Sequence, residues 1–315
     1  DAHGAGGERP PRRKRMTPMS KALPLFFKEY GNPKHPAVML LHGFLGNAND
    51  WISVAERFAD AFHVVTPDLP GHGRSLLNDP DAIYDIPLTA TSLLRLLTAL
   101  DIHRCAVVGY SMGGRLALYM AITHPNRIRA AVIESGTPGI ASESERAARR
   151  AHDAALALEF EKESLAEVLT RWYARPLFDS LRRRPRFEEL LQTRLINDRL
   201  QVAQALVNLG AGSQPNLWPS LPDHTVPTLM LVGEHDARYI DIARAMTAQS
   251  PAIRMEIAPG AGHNIHFEVP EAFVQSVRAF LENVLRDRSA QPRLSRYNGM
   301  SDGTSGSLTC KRNQR

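Results

Sequence analysis

Short apolar runs alternate with longer amphipathic stretches along most of this chain of 315 residues. Nearly continuous apolar runs are typical of strands buried on both faces, and their alternation with helical patterns is typical of a parallel sheet with crossover helices. The predicted strands are Ala37–Leu41, His63–Thr66, Ala106–Val108, Ala130–Glu134, Thr228–Val232 and Arg254–Ile257. The predicted helices between them are Trp51–Ala59, Leu88–Leu100, Met112–Thr123, Ile240–Thr247 and Ala272–Leu285. The pattern therefore predicts an α/β fold with a mostly parallel central sheet and helices on both faces.

One interval, residues 139–222, breaks this alternation because it contains no convincing strand pattern. Its charged stretches instead have helical periodicity, in Glu143–Glu161, Leu165–Tyr173, Phe187–Ile196 and Val202–Leu209. The interval is far too long for a βα loop, which typically has about two to six residues. We therefore expect a helical cap, inserted into a core of residues 21–138 and 223–287 and laid over one end of the sheet.

The positive charge of the chain lies in its two ends. Residues 1–20 carry a net charge of +3 and residues 288–315 carry +5, whereas the whole chain carries +5, which leaves −3 on the residues between them. Both ends are polar and contain glycine, proline or serine clusters, so we expect them to be disordered. A nucleic-acid-binding protein is expected to carry its basic surface on the folded body, so no nucleic-acid partner is predicted.

The lengths of the apolar runs and the positions of the two cysteines bear on the cellular compartment of the protein. No apolar run approaches the length of about 18 residues that suggests a membrane span, and the basic N-terminal stretch lacks the apolar centre of a secretory signal. We therefore predict a cytoplasmic location and no membrane partner; the oligomeric state stays open. Cys105, in an apolar run, and Cys310, near the end, suggest neither a disulfide framework nor metal-ligand spacing, and Cys105 is expected to be buried.

The sharpest local motif is G-x-S-x-G, which Gly109 to Gly113 form around Ser111. A strand pattern precedes it, and the helical pattern Leu116–Ala121 follows it directly. This context is that of the nucleophile elbow, a tight turn that lifts the serine hydroxyl above the sheet. Larger side chains in place of the glycines would collide with neighbouring backbone. Ser111 is therefore the candidate catalytic serine.

A serine hydroxyl needs a base, and His263 follows the last predicted strand, where a loop can carry it back over the elbow. Asp236 follows the penultimate strand, where its carboxylate can orient the imidazole. The order serine, aspartate, histidine is the order used by the α/β-hydrolase fold. We therefore predict that fold with a triad of Ser111, His263 and Asp236, and Glu234 is the alternative for the acid.

Two other loops follow predicted strands at the same edge of the sheet. In the loop His42–Gly46, we expect the backbone amide of Phe44 to join that of Met112 in an oxyanion hole. Each such donor is typically worth about 3 kcal/mol of transition-state stabilisation. In the next loop, His72 and Arg74 are expected to be structural.

Several stretches of the chain resemble one family, the 2-succinyl-6-hydroxy-2,4-cyclohexadiene-1-carboxylate synthases of menaquinone (vitamin K2) biosynthesis. The resemblance extends from about Pro24 to Leu285 and is strongest in Gly109–Arg115, Glu134–Gly139, Arg146–Asp153, Trp172–Phe178 and Gly260–Asn264. It implies a lyase that removes a proton from a cyclohexene substrate, after which pyruvate leaves by 2,5-elimination. It also implies that the triad moves protons and that no metal or organic cofactor is used.

The resemblance implies a site for a small-molecule polycarboxylate. Guanidinium groups bind carboxylates in a bidentate geometry, and Arg115 lies four residues after Ser111, close to the predicted catalytic centre. Arg149 matches a position at which the family holds its substrate, and its neighbours Arg146 and Arg150 stay open as alternatives.

The remaining candidates also come from the resemblance. Arg194 matches another substrate-holding position once a one-residue insertion is allowed. Trp172 and Phe178 could wall the site for the substrate ring, and Tyr110, beside Ser111, could add its side chain to the pocket.

Two other functions compete with the lyase. A serine hydrolase, either an esterase or a carbon–carbon bond hydrolase with a carboxylated substrate, would use the same three residues, so only the arginines and the cap motifs favour the lyase. A binding protein that had lost catalysis would have no need to keep serine, aspartate and histidine together, and the complete set argues against it.

Overall fold

A computed structural model describes residues 23–77 and 83–286 of the chain. Both ends that the sequence predicts to be disordered, residues 1–20 and 288–315, lie outside the described residues. The described residues contain a seven-stranded sheet in the order β1-β3-β2-β4-β5-β6-β7. Neighbouring strands are parallel except β1, which is antiparallel to β3. The strands are β1 (Phe27–Tyr30), β2 (Ala37–Leu41), β3 (His63–Pro67), β4 (Cys105–Tyr110), β5 (Ile128–Glu134), β6 (Thr228–Gly233) and β7 (Ile253–Ala258).

The six predicted strands are confirmed as β2 to β7. The apolar pattern does not predict β1, because this edge strand contains Lys28 and Glu29 and remains partly exposed.

The predicted helices are all confirmed. The helices are α1 (Ile52–Phe58), α2 (Ile86–Ala99), α3 (Met112–Thr123), α4 (Glu143–Lys162), α5 (Leu165–Tyr173), α6 (Asp179–Arg182), α7 (Phe187–Arg194), α8 (Arg199–Leu209), α9 (Ala237–Gln249), α10 (Ile265–Glu268) and α11 (Pro270–Arg286). Short 3-10 turns occupy Ala48–Trp51, Pro176–Phe178 and Trp218–Ser220.

Alternate side chains of the central strands pack against helices on opposite faces of the sheet. In β2, Met39 and Leu41 belong to a core with α2, α3 and α9, whereas Val38 and Leu40 belong to a core with α1 and α11. Successive strand residues point to opposite faces, so a continuous apolar run fills both cores.

Residues 139–222, here called the cap segment, contain α4 to α8 and no strand. The side chains of Ser142, Ser164 and Asp198 accept hydrogen bonds from first-turn amides and so begin α4, α5 and α8. Apolar side chains of α4, α5, α7 and α8 form a third core, which Leu45 joins from the loop after β2. The cap segment therefore packs on a loop at the carboxyl end of the sheet.

Four residues predicted to be functional follow parallel strands at this same end. Phe44 follows β2, Ser111 follows β4, Asp236 follows β6 and His263 follows β7. The carboxyl ends of parallel strands meet at one edge of a sheet, and this is where α/β proteins bind their ligands. Across the described ranges, no helix is both long enough and apolar enough to cross a membrane.

Candidate active site

Ser111 lies in a sharp turn between β4 and α3. Its backbone has φ +50° and ψ −105°, a conformation that residues with a side chain rarely adopt. Conformations of this kind cost about 1–3 kcal/mol and persist only where the surroundings enforce them. Here the Ser111 amide donates to the carbonyl of Glu134 at 2.8 Å, and the Ser111 carbonyl accepts from the amide of Arg115 at 2.9 Å.

The two glycines of the motif allow the turn to pack closely. A Cβ on Gly109 would lie 2.2 Å from the carbonyl oxygen of Gly113, and a Cβ on Gly113 would lie 2.2 Å from the carbonyl oxygen of Leu41. Both distances are far below van der Waals contact, so no other residue fits without moving the backbone. The G-x-S-x-G pattern therefore reflects the packing of α3 against β2 and β4.

Ser111, His263 and Asp236 form a continuous hydrogen-bonded series. His263 Nε2 lies 3.1 Å from Ser111 Oγ, and His263 Nδ1 lies 2.7 Å from Asp236 Oδ2. An imidazole between a hydroxyl and a carboxylate can accept the hydroxyl proton, while the carboxylate stabilises the imidazolium that forms. Glu234, the alternative acid, instead accepts a hydrogen bond from the amide of Gly260 at 2.8 Å.

Aromatic rings surround the imidazole of His263. The ring of Tyr239 lies 4.7 Å away, that of Tyr110 lies 5.5 Å away and that of Phe178 lies 6.1 Å away. Tyr110 does not line the cavity; it is buried between His263 and His266. Burial, and then the charge of Asp236, raise the pKa of the Tyr239 phenol, so this hydroxyl stays protonated.

The Ser111 hydroxyl opens into a cavity of about 390 Å³ between the core and the cap segment. Phe44 and Met112 line it beside Ser111. Met112 is the first residue of α3, where a backbone N–H has no acceptor within the helix. Trp172 and Phe178 contribute apolar walls from the cap segment.

Arg115 is a buried cation in the wall of this cavity. Its Nη2 donates to the carbonyl of Leu209 at 2.8 Å, and its Nη1 lies 3.5 Å from Gln214 Oε1. Burial lowers the pKa of the guanidinium to about 10, so the group is still charged at neutral pH. No carboxylate within the described ranges forms an ion pair with it. The charge is therefore available to an anionic ligand.

The structure distinguishes Arg149 from its neighbours in α4. Arg149 lines the cavity, and its Nε donates to Asp153 Oδ1 at 2.8 Å. Arg146 and Arg150 both pair with Glu143 and do not line the cavity. Of the three arginines, Arg149 alone lines this cavity.

Arg194 does not line this cavity. Its Nη1 lies 2.6 Å from Asp50 Oδ1, and its Nε donates to the hydroxyl of Tyr173 at 3.2 Å. Although burial alone would lower it, the charge of Asp50 holds the pKa of the Arg194 guanidinium above its ordinary value. A second cavity, of about 320 Å³, has Arg194 and His266 in its wall. The prediction that Arg194 binds substrate therefore gains no support from the lining of the cavity at Ser111.

Sequence reasoning missed Tyr239 and three basic residues of the cavity wall, Arg175, Arg238 and His152. Arg175 stacks its guanidinium over Trp172 at 4.2 Å, and Trp172 in turn lies 5.1 Å from the ring of Phe44. The signal for Tyr239 is its position three residues after Asp236, one turn into α9. The sequence offers no comparable signal for Arg175, because Arg171 is even closer to Trp172 in the chain.

Comparison with known proteins agrees with the geometry. Residues 36–270 match the family model described as alpha/beta hydrolase fold. The 2-succinyl-6-hydroxy-2,4-cyclohexadiene-1-carboxylate synthase of Serratia proteamaculans is 36% identical over 256 residues, which cover 81% of this chain and 96% of that protein. MenH from S. aureus superposes with a TM-score of 0.78 and 34% identity, over 82% of this chain and 98% of that one.

A solved structure with lower sequence identity is that of an esterase. A thermophilic esterase from Thermogutta terrifontis superposes with a TM-score of 0.71 and 27% identity, over 82% of this chain and 93% of that one. The predicted fold class and the family resemblance are confirmed. The chain belongs to the α/β-hydrolase fold family and, within it, to the 2-succinyl-6-hydroxy-2,4-cyclohexadiene-1-carboxylate synthases.

Proposed function

We propose that this protein is a lyase of menaquinone biosynthesis. Its substrate is 2-succinyl-5-enolpyruvyl-6-hydroxy-3-cyclohexene-1-carboxylate, and its products are pyruvate and 2-succinyl-6-hydroxy-2,4-cyclohexadiene-1-carboxylate. The observation that carries the proposal is the buried charge of Arg115, which faces the same cavity as Ser111 without a carboxylate partner in the described ranges. A substrate with several carboxylates supplies the missing counter-ion.

Proton transfer begins with His263, which accepts the proton of Ser111 while Asp236 stabilises the imidazolium. The seryl oxygen then takes the proton from the ring carbon next to the succinyl carbonyl. The electrons of that C–H bond form a new ring double bond, the existing double bond shifts, and the C–O bond to the enolpyruvyl group breaks. The released enolpyruvate takes a proton from the imidazolium and becomes pyruvate.

Negative charge develops on the succinyl carbonyl oxygen as the ring proton leaves. Phe44 and Met112 line the cavity beside Ser111, and their backbone amides are the proposed donors to this oxygen. Each is expected to contribute about 3 kcal/mol to the transition state.

Three arginines face the substrate in this proposal. Arg115, Arg149 and Arg175 are three of the four arginines that line the cavity, Arg238 being the fourth, and the substrate offers a ring carboxylate, a succinyl carboxylate and an enolpyruvyl carboxylate. Trp172 and Phe178 flank the substrate ring. Fixing the carboxylates turns the acidic C–H bond towards Ser111, and such orientation is worth several kcal/mol.

The division of the chain also belongs to the proposal. We assign residues 21–138 and 223–287 to a catalytic core and residues 139–222 to a cap that recognises the substrate, since the latter supply Arg149, Trp172 and Arg175. A cytoplasmic location fits Cys105, a buried cysteine with a free thiol.

The decisive experiment follows pyruvate release with a lactate dehydrogenase couple. The substrate is generated in situ by the preceding enzyme of the pathway, and a reaction without protein measures spontaneous elimination. We expect rapid protein-dependent release that Ser111→Ala abolishes, with no acyl-enzyme on the natural substrate. Release no faster than the spontaneous rate would refute the lyase.

A serine hydrolase is the second candidate, supported by the likeness to the esterase and by the same three residues. Steady turnover of p-nitrophenyl esters at ordinary enzyme rates, with a covalent intermediate on Ser111, would favour it over the lyase.

A further inference from the structure

His263 lies in the loop between β7 and α10, residues 259–264, which is here called the histidine loop. A second buried carboxylate, that of Glu268 in α10, fixes this loop. Glu268 Oε2 accepts from the amide of Gly262 at 3.0 Å, and Glu268 Oε1 accepts from the amide of Asn264 at 3.2 Å. These two amides flank His263 in the chain. The carboxylate has no exposed surface, so nothing in solvent competes for it.

The counter-ion of Glu268 comes from the cap segment. Arg184 lies between α6 and α7, and its Nη2 is 3.3 Å from Glu268 Oε2. The same nitrogen donates to the carbonyl of Gly260, also in the histidine loop. A buried carboxylate that loses its partner is strongly destabilised, so the position of Arg184 affects the position of Glu268.

Direct packing reinforces this connection between the cap segment and the histidine loop. A Cβ on Gly262 would lie 2.0 Å from Ser180 Oγ of α6. A larger residue at position 262, next to His263, would therefore force the Ser180 side chain of α6 to move. Ser180 and Arg184 together place one side of the cap segment against the loop.

We propose that Glu268 and Arg184 are positioning residues for His263, and that they make the reactivity of Ser111 depend on the placement of the cap segment. Neither residue lines the cavity at Ser111, so they act through the histidine loop and not on the substrate. The imidazole must keep both of its hydrogen bonds, 3.1 Å to Ser111 and 2.7 Å to Asp236. A misplacement of about 1 Å can cost about 100-fold in rate.

The test uses a fluorophosphonate, which reacts with an activated serine whatever the natural substrate is. The second-order rate constant for labelling Ser111 is measured in the full chain and in Arg184→Ala, Arg184→Lys and Arg183→Ala. Arg183 is the matched control, because it is the exposed neighbour of Arg184 in the same turn. We expect Arg184→Ala to lower the rate constant about tenfold or more. Arg184→Lys, which keeps a charged donor, should recover most of it, and Arg183→Ala should stay within about twofold of the wild type.

Two further readouts separate positioning from a loss of structure. In the proton NMR spectrum, the resonance of the His263 Nδ1 proton should shift or broaden in Arg184→Ala and stay unchanged in Arg183→Ala. In the pyruvate assay, Arg184→Ala should lower kcat with little change in KM. Glu268→Gln, which keeps the size but loses the charge, provides a second variant and should lower the labelling rate likewise.

The proposal is overturned if folded Arg184→Ala or Glu268→Gln labels at the wild-type rate, or if Arg183→Ala loses as much reactivity as Arg184→Ala. These outcomes are independent of the proposed lyase activity. A protein that released no pyruvate but showed the labelling pattern would refute the lyase alone.

Discussion

Arg115 donates to the carbonyl oxygen of Leu209, 2.8 Å from its Nη2. The bond joins the first turn of α3, which carries the serine elbow, to the last residue of α8 in the cap segment. It satisfies one nitrogen of the guanidinium without neutralising the charge. A bound carboxylate would therefore complete a site that the fold has already positioned.

Removing this guanidinium should impair the elimination strongly. Hydrogen bonds to charged groups contribute about 1.5–3 kcal/mol, so Arg115→Ala is expected to lower kcat/KM by about 10- to 100-fold in the pyruvate assay. Arg115→Lys should fall between, because lysine keeps the charge but loses the planar fork. If Arg115→Ala leaves kcat/KM unchanged, Arg115 does not bind the substrate.

The neighbouring arginines of α4 provide a matched pair. Arg149→Ala should raise KM for the substrate by about tenfold, because Arg149 lines the cavity. Arg150→Ala should leave KM unchanged, because Arg150 pairs with Glu143 outside it. Steady-state kinetics of the two variants side by side tests the assignment, and equal effects would contradict it.

Arg175 should behave as a substrate-binding residue, although the sequence did not identify it. Its guanidinium lies over Trp172 in the cavity wall, whereas Arg171 pairs with Glu159 and Glu163 away from it. We expect Arg175→Ala to raise KM by about tenfold and Arg171→Ala to leave it unchanged. A wild-type KM in Arg175→Ala would show that its charge does not reach the substrate.

The ion pair of Arg194 and Asp50 should matter mainly for stability. Both side chains are buried, so Arg194→Met leaves a buried carboxylate unpaired and should cost about 3–5 kcal/mol in the free energy of unfolding. Asp50→Asn combined with Arg194→Met should recover much of that loss. Arg244→Met, which breaks an exposed pair with Asp241, should cost less than about 1 kcal/mol. Urea unfolding measures all three, and a small cost for Arg194→Met alone would contradict the assignment.

Mild acid should destabilise the fold through His72. Burial lowers the pKa of this imidazole to about 3, whereas an unfolded histidine titrates near about 6.5. Between these values the unfolded chain binds a proton that the native state does not, so stability is lost as pH falls below about 6.5. From pH 7 to pH 5.5 the loss from this group is about 1 kcal/mol.

Urea unfolding at the two pH values checks this expectation. His72→Gln should show a smaller loss of stability on acidification than the wild type. His103→Gln, at an exposed site, should show the same loss as the wild type. Equal losses in the wild type and in both variants would show that His72 is not the group responsible.

The sequence predicts those parts of the molecule whose pattern lies within a short stretch of the chain. Strands β2 to β6 are buried almost throughout on both faces, so their apolar runs stand out, whereas β1 is half-exposed at an edge and gives no such run. The elbow was predictable because its glycines, its serine and the helix that follows are contiguous. Asp236 and His263 were predictable because each closely follows a strand of the same parallel sheet.

The remainder of the site depends on contacts between distant segments. The sequence shows arginines in the cap segment but not the direction in which each points. Arg194 meets Asp50, 144 residues away in the chain, and Arg175 turns onto Trp172 and the cavity. These outcomes are set by tertiary packing, which a local pattern does not encode.

The two walls of the cavity come from separate stretches of sequence. Ser111 and His263 stand on loops of the sheet, whereas Arg149, Trp172 and Arg175 belong to the cap segment. Substrate recognition and proton transfer are therefore encoded by different stretches of the chain, and a change in one wall reaches the other through the contacts of Arg115 with Leu209 and of Arg184 with Glu268. The same fold can therefore serve a different substrate when side chains of the inserted helices change, provided that these contacts and the loops that carry the triad are kept.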